Sequence, residues 1–121
     1  MWKDDAIDTN IVKIGQFLVN NISDKYKEII FVAELDAGAV GISAIYYDES
    51  GRRRGIEGFF DIAGDLEVEA KSFHDIFVKN GENFKCFKLK IDIDDNFSLD
   101  FDYDNPHKWD LSDNRIFPKN K

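Results

Sequence analysis

Ile29-Ile30-Phe31-Val32-Ala33-Glu34-Leu35-Asp36, then Ala37-Gly38-Ala39, then Val40-Gly41-Ile42-Ser43-Ala44-Ile45-Tyr46 is the stretch on which the fold turns. Its first part is β-branched and aromatic, its middle holds turn residues, and its last part alternates apolar with small or polar side chains, which is the pattern of a β-hairpin. A four-residue loop over Asp36-Ala37-Gly38-Ala39 sets Leu35 opposite Val40, Ala33 opposite Ile42, Phe31 opposite Ala44 and Ile29 opposite Tyr46. Every apolar pair then shares one face. A slip of one residue would set that stripe against Gly41, Ser43 and Ile45, so the side chains choose the register.

Upstream, Ile7, Ile11, Ile14, Leu18 and Ile22 recur at steps of four, three, four and four. That spacing stacks them on one stripe of a helix from about Asp5 to Asn21, and Ser23-Asp24-Lys25 ends it. Downstream, a three-residue loop Glu49-Ser50-Gly51, with Gly in the left-handed position, predicts a third strand. Its register sets Asp48 opposite Arg52, Ala44 opposite Ile56, Ile42 opposite Gly58 and Val40 opposite Phe60. Asp65, after Gly64, is placed to cap a second helix that carries Leu66, Ala70, Phe73 and Phe77 and stops at Asn80-Gly81.

A second hairpin follows. A loop at Asp94-Asp95-Asn96 pairs Ile93 with Phe97, Ile91 with Leu99, Leu89 with Phe101 and Phe87 with Tyr103, while on the reverse face Lys90 meets Asp100 and Lys88 meets Asp102. From Asn105-Pro106 to residue 121 the chain reads as an irregular tail, with Trp109, Ile116 and Phe117 expected to pack back. The order α-β-β-β-α-β-β predicts an α+β fold: an antiparallel sheet of about five strands with helices packed on one face. The 121 residues are expected to form one domain whose core includes Ile11, Leu18, Phe31, Ile42, Phe73, Leu89, Leu99 and Phe101.

Composition narrows the function. With 43% apolar residues and 11 Phe the chain can fill a core, which excludes intrinsic disorder. Sixteen Lys plus Arg against 24 Asp plus Glu leave a net charge of −8, which repels nucleic-acid phosphates and anionic lipid headgroups and suits a basic partner. Cys86 is the single cysteine and there are two His, too few for an internal disulfide or a four-ligand zinc site, so a reducing compartment is expected. No apolar run is long enough to span a bilayer, and Asp4-Asp5 stand where a signal peptide needs cations. A cytoplasmic protein with no cofactor and no membrane partner is the expectation.

Eight Asp lie between Asp92 and Asp113. Strand parity puts Asp92 and Asp94, and across from them Asp100, Asp102 and Asp104, on the side away from the Phe and Leu stripe, with Asp95 in the loop. The plain reading is a solvated outer face. The functional reading is an anionic docking surface for a basic protein, made by Asp92, Asp94, Asp95, Asp100, Asp102 and Asp104. Asp92, Asp94 and Asn96 also match the first, third and fifth positions of a calcium loop, but Phe97 and Tyr103 replace its glycine and its bidentate glutamate, so that reading is rejected.

Cys86 and His107 would need to meet for thiol catalysis, which chain order cannot establish, and the thiol reads as incidental. His74 falls within the second helix. Gly51, Gly55 and Gly58 do not open a helix after a strand as a phosphate loop does. Glu69-Ala70-Lys71 spells a nuclease-like acid-x-lysine on a helix, away from a second acid. Arg52-Arg53-Arg54 is a basic hairpin tip cancelled by Asp48, Glu49 and Glu57, at most a minor contact point. No enzyme activity is expected.

Two stretches carry a resemblance. Ile30-Phe31-Val32-Ala33-Glu34-Leu35-Asp36-Ala37-Gly38 with Ile45-Tyr46-Tyr47-Asp48, and Phe87-Lys88-Leu89-Lys90-Ile91-Asp92 with Phe97-Ser98-Leu99-Asp100-Phe101-Asp102-Tyr103-Asp104, resemble the two hairpins of the YezG-like antitoxin and immunity proteins of bacterial polymorphic toxin systems. The likeness covers residues 7 to 104. This chain departs from that pattern at Phe84, where the family commonly has Trp, and at Asp94-Asp95-Asn96, where it commonly has a Gly-containing turn. The resemblance implies a non-enzymatic protein that binds the toxic C-terminal domain of a cognate effector, often a nuclease. Two other classes fit the same fold: a small ligand-binding domain or enzyme with a pocket between sheet and helices, and a structural homo-oligomer subunit.

Overall fold

The computed structural model describes residues 5–36, 38–109 and 111. The Ile7 side chain, Asp110, Asp113, Ile116 and Phe117 lie outside the described residues. The elements are α1 (Asp5–Asn20), β1 (Tyr26–Asp36), β2 (Ala39–Asp48), β3 (Arg53–Gly55), α2 (Phe59–Lys79), β4 (Cys86–Asp92) and β5 (Phe97–Asp102). They make an α+β fold with one five-stranded antiparallel sheet in the order β3-β2-β1-β4-β5. β1 takes the centre because it is apolar on both faces: Ile29, Ile30, Phe31, Val32 and Ala33 are all buried.

The first hairpin has the register its side chains dictate, with Leu35↔Val40, Ala33↔Ile42, Phe31↔Ala44 and Ile29↔Tyr46 paired. β1 starts at Tyr26, three residues before the apolar run. The β2–β3 register also holds, as Tyr47↔Arg53 and Tyr46↔Arg54 pair beside an Asp48 N–H to Arg52 carbonyl bond of 2.9 Å.

β3, however, ends at Gly55, and α2 begins at Phe59 instead of Asp65, so Gly58 and Phe60 do not pair with Ile42 and Val40. Phe59, Ile62, Leu66, Ala70 and Phe73 extend the helical period backward through Gly64 and pack inward. Gly58 supplies the start with φ 74°, a conformation cheap for glycine.

The closing hairpin departs from expectation by two residues. Ile91 pairs with Phe97, Leu89 with Leu99 and Phe87 with Phe101, so the loop is Ile93-Asp94-Asp95. The β2–β3 and β4–β5 loops have one construction. In the β2–β3 loop, Gly51 sits at φ 87° and its N–H donates to the Asp48 carbonyl at 2.8 Å; in the β4–β5 loop, Asp95 sits at φ 63° and its N–H donates to the Asp92 carbonyl at 2.9 Å. Asp tolerates the left-handed position better than most residues, and here it replaces the glycine that marks the β2–β3 loop. Because the shift is two, every side chain keeps its predicted face, but the cross-strand partners change. Lys88 faces Asp100 at 3.8 Å instead of Asp102, and Lys90 reaches Glu28 at 3.9 Å instead of Asp100.

The helices cover one face. Ile11, Ile14 and Leu18 of α1 and Ile62, Leu66, Ala70 and Phe73 of α2 pack on Ile29, Phe31, Ala33, Phe87, Leu89 and Ile91. Ile42, Leu99 and Phe101 border this core half-buried. The opposite face is also apolar at its centre, and Trp109 and Leu111 of the tail bury it against Ile30, Val32, Ile45 and Cys86. Lys88 Nζ stands 5.2 Å from the Trp109 ring, the Arg53 guanidinium donates to the Leu111 carbonyl, and Lys108 meets Asp102 at 3.6 Å.

Candidate functional site

The six aspartates do not form one patch. β5 is six residues long, about 20 Å of extended chain, and it separates Asp92, Asp94 and Asp95 at one end from Asp104 at the other. Asp100 is exposed beside Lys88.

Two of the six have local work. The Asp92 carboxylate accepts the Asn96 N–H at 3.0 Å, the Asp94 N–H at 2.8 Å and the Asn96 amide at 3.3 Å, and these bonds hold it below the usual carboxylate range. Asp102 accepts the Asn105 N–H at 2.7 Å and the Asp104 N–H at 2.9 Å, and is lowered for the same reason. Both shape loops. Asp95 accepts the Tyr26 hydroxyl at 3.2 Å.

Asp48 does for the β2–β3 loop what Asp92 does for the β4–β5 loop. It accepts the Ser50 hydroxyl at 2.6 Å, the Arg52 N–H at 2.9 Å, the Ser50 N–H at 3.0 Å and Arg54 Nε at 2.9 Å, which together hold its pKa far below the ordinary value. Arg53 and Arg54 of the basic run are so engaged, and Arg52 is exposed in the loop.

A folded pKa below the unfolded one means stability that is present above about pH 4 and lost as pH falls through the folded values. Thermal melts should therefore drop as the pH is lowered below about 4. In Asp48→Asn the amide oxygen can still accept the loop N–H groups but carries no charge, so this variant should be less stable at neutral pH and lose less on acidification. Parallel pH profiles for the two proteins would refute this role.

The end of the molecule that holds the closing loop gathers more acid than the six aspartates alone. Tyr26 pairs with Asp48 and Glu28 with Asp92, so the starts of β1 and the ends of β2 and β4 lie together. A Cβ on Gly58 would stand 3.4 Å from Asn21 Oδ1, which brings the start of α2 and the end of α1 to the same end. Glu57, Asp61, Asp65 and Glu67 follow from there, all exposed, and among the described residues none has an ion-pair partner.

Large apolar side chains are exposed among these acids. Ile93 is 62% exposed in the closing loop, and Phe97 is 41% exposed where its ring lies against α1. Gly15 makes room for that ring, since a Cβ there would meet it at 2.7 Å. Phe60 and Val68 stand out from α2. Chain reading missed this α2 surface because it placed Phe60 in a strand; the backward run of Phe59, Ile62 and Leu66 was the signal that could have found it.

The remaining candidates are placed apart. Cys86 is fully buried under the tail, its thiol donates to the Asn105 carbonyl at 3.3 Å, and burial pushes its pKa up to about 11. His107 instead meets Glu34 through Nδ1 at 3.1 Å. His74 Nε2 lies 2.9 Å from the Phe84 carbonyl and 3.1 Å from Asn83 Oδ1, fastening α2 to the loop before β4. Beside it a groove of about 490 Å³ runs between α2 and the β1–β2 turn, lined by Leu35, Asp36, Val40, Lys71, His74 and Lys85 among others. Among the described residues no group of three His, Cys, Asp or Glu is placed to hold a metal ion, and no helix is long and apolar enough to cross a membrane.

Fold and surface together define an acidic α+β domain with loops, helix ends and exposed apolar side chains at one end. No protein-family model matches the chain, and no curated protein matches it.

Proposed function

We propose that this chain is an immunity protein or antitoxin that binds and neutralises the toxic domain of a cognate effector, a basic domain and in the first instance a nuclease. The observation that carries the reading is the acidic end, where Asp94, Glu57 just before α2 and the α2 carboxylates Asp61, Asp65 and Glu67 are exposed without ion-pair partners among the described residues. Folding gains little from carboxylates so placed, whereas a basic cleft gains both encounter rate and register from them. The resemblance of residues 7–104 to YezG-like proteins supports the same reading. The chain then acts in the cytoplasm by occupying or shielding the toxin's substrate cleft.

Coexpression tests it. The polypeptide encoded immediately upstream should arrest growth through its C-terminal domain, and this chain should relieve the arrest and copurify with that domain. An upstream product that is harmless, or whose toxicity persists in the presence of this chain, would sink the proposal. Asp94→Asn with Asp95→Asn should slow association and flatten its salt dependence with little change in thermal stability, because asparagine also tolerates the left-handed position. Asp92 is unsuitable for such a test, since its loss would disturb the loop itself.

A further inference from the structure

Phe60 is 93% exposed, whereas its neighbour Phe59 packs against the core. The Phe60 ring buries almost no surface and meets the Phe59 ring edge-on, with centroids 6.5 Å apart. Four and eight residues on, Gly64 and the 62%-exposed Val68 follow on the same side of α2.

Gly64 is the second oddity. Glycine inside a helix is unfavourable relative to alanine, and a Cβ at this position would have nothing within 4 Å. The other helix glycine, Gly15, is explained by the Phe97 ring that lies on it. Nothing among the described residues explains Gly64. What its missing side chain does provide is close access to the helix backbone beside an exposed aromatic ring.

The third observation is charge. Glu57, Asp61, Asp65 and Glu67 surround these positions, and the first cation along α2, Lys71, is already paired with Asp75 at 3.4 Å. A body seated here meets four carboxylates, so it must bring cations. A second copy of this chain, at −8, brings net negative charge instead.

We infer that the outer face of the first turns of α2 is the anchor for a basic protein partner: Phe60 enters an apolar pocket rimmed by Lys or Arg, and the partner's surface lies against α2 at Gly64. The arrangement has the form of an interface hot spot, an aromatic side chain at the centre with a polar ring that excludes water around it. This inference rests on the reading of the chain as a binder of a basic effector domain and names the surface that binds.

Two variants separate binding from folding. Phe60→Ala should leave the melting temperature of the free protein within a degree or two and weaken binding by about 30-fold or more. Gly64→Ala should raise the melting temperature, by helix propensity, and still weaken binding by about fivefold or more through the added methyl group at the contact. The probe is the purified C-terminal domain of the upstream-encoded polypeptide, titrated calorimetrically.

Wild-type affinity in both variants would overturn the α2 anchor while leaving the immunity reading intact. If the wild-type chain does not bind that domain, the immunity reading for it fails, and benzoylphenylalanine placed at position 60 in cells decides the anchor separately. A crosslink to a protein of net positive charge, whose purified form binds Phe60→Ala more weakly, upholds the anchor. Absence of a crosslink, or one to an acidic protein or to another copy of this chain, overturns it.

Discussion

Replacing Phe84 by Ala should lower the unfolding free energy by about 3–5 kcal/mol, a large share of what a domain of this size has. Phe84 lies in the loop between α2 and β4, yet it is fully buried and stands at the centre of an aromatic group. Its ring centroid is 4.9 Å from Phe101, 5.2 Å from Phe77, 5.8 Å from Phe87 and 5.9 Å from Phe73, mostly in tilted or edge-on pairings. Truncation loses the transfer energy of the ring and leaves a cavity between two helical turns and two strands that cannot all close on it. Phe84→Leu should cost less, because it retains much of the volume. Urea denaturation measures both, and a loss below about 1 kcal/mol for Phe84→Ala would mean that the cluster is not packed as described.

Trp109→Ala is expected to cost about 3 kcal/mol and to have a second, chemical consequence. Trp109 closes the second apolar cluster, over Ile30, Val32, Ile45 and Cys86. In the intact protein the buried Cys86, with its pKa pushed up to about 11, should react slowly with an aromatic disulfide reagent at neutral pH. Removing the indole opens that cover, and labelling should accelerate by about tenfold or more. Lys88→Met keeps the apolar stem over the ring and removes the cation, so it should cost at most about 1 kcal/mol and leave Cys86 protected. Equal labelling rates in the wild type and Trp109→Ala would show that the tail does not protect the thiol.

The first hairpin was legible because only one register sets Leu35, Ala33, Phe31 and Ile29 against apolar partners. The closing hairpin was read two residues away from its register because Asp95, and not glycine, takes the left-handed position. Since the pleat repeats every two residues, the faces were right while the partners of Lys88 and Lys90 were wrong. The start of α2 was lost to Gly64, which reads as a break in one dimension but is a helical residue under the packing of Ile62 and Leu66.

The candidate surface was less legible than the fold. Parity says which side of a strand a carboxylate leaves, but not whether a loop will consume it, as happens to Asp92 and Asp102. Nor does it say how far along the sheet it will lie, which is what separates Asp94 from Asp104. The tail's cover over the reverse face was legible at Trp109, but Leu111, which shares that cover, was passed over, and Ile116 and Phe117 lie outside the described residues.

β1 has partners at very different distances along the chain: β2 follows it directly, while β4 arrives only after β3 and the whole of α2. A hairpin such as β1–β2 forms in about 1–10 μs, but the β1–β4 pairing must first close a long loop, so it should set the pace of refolding. Until it forms, one edge of the most apolar strand in the protein is open to pairing with the same edge of another chain. Refolding from denaturant is accordingly expected to lose yield as protein concentration rises, while the rate of the productive phase stays constant.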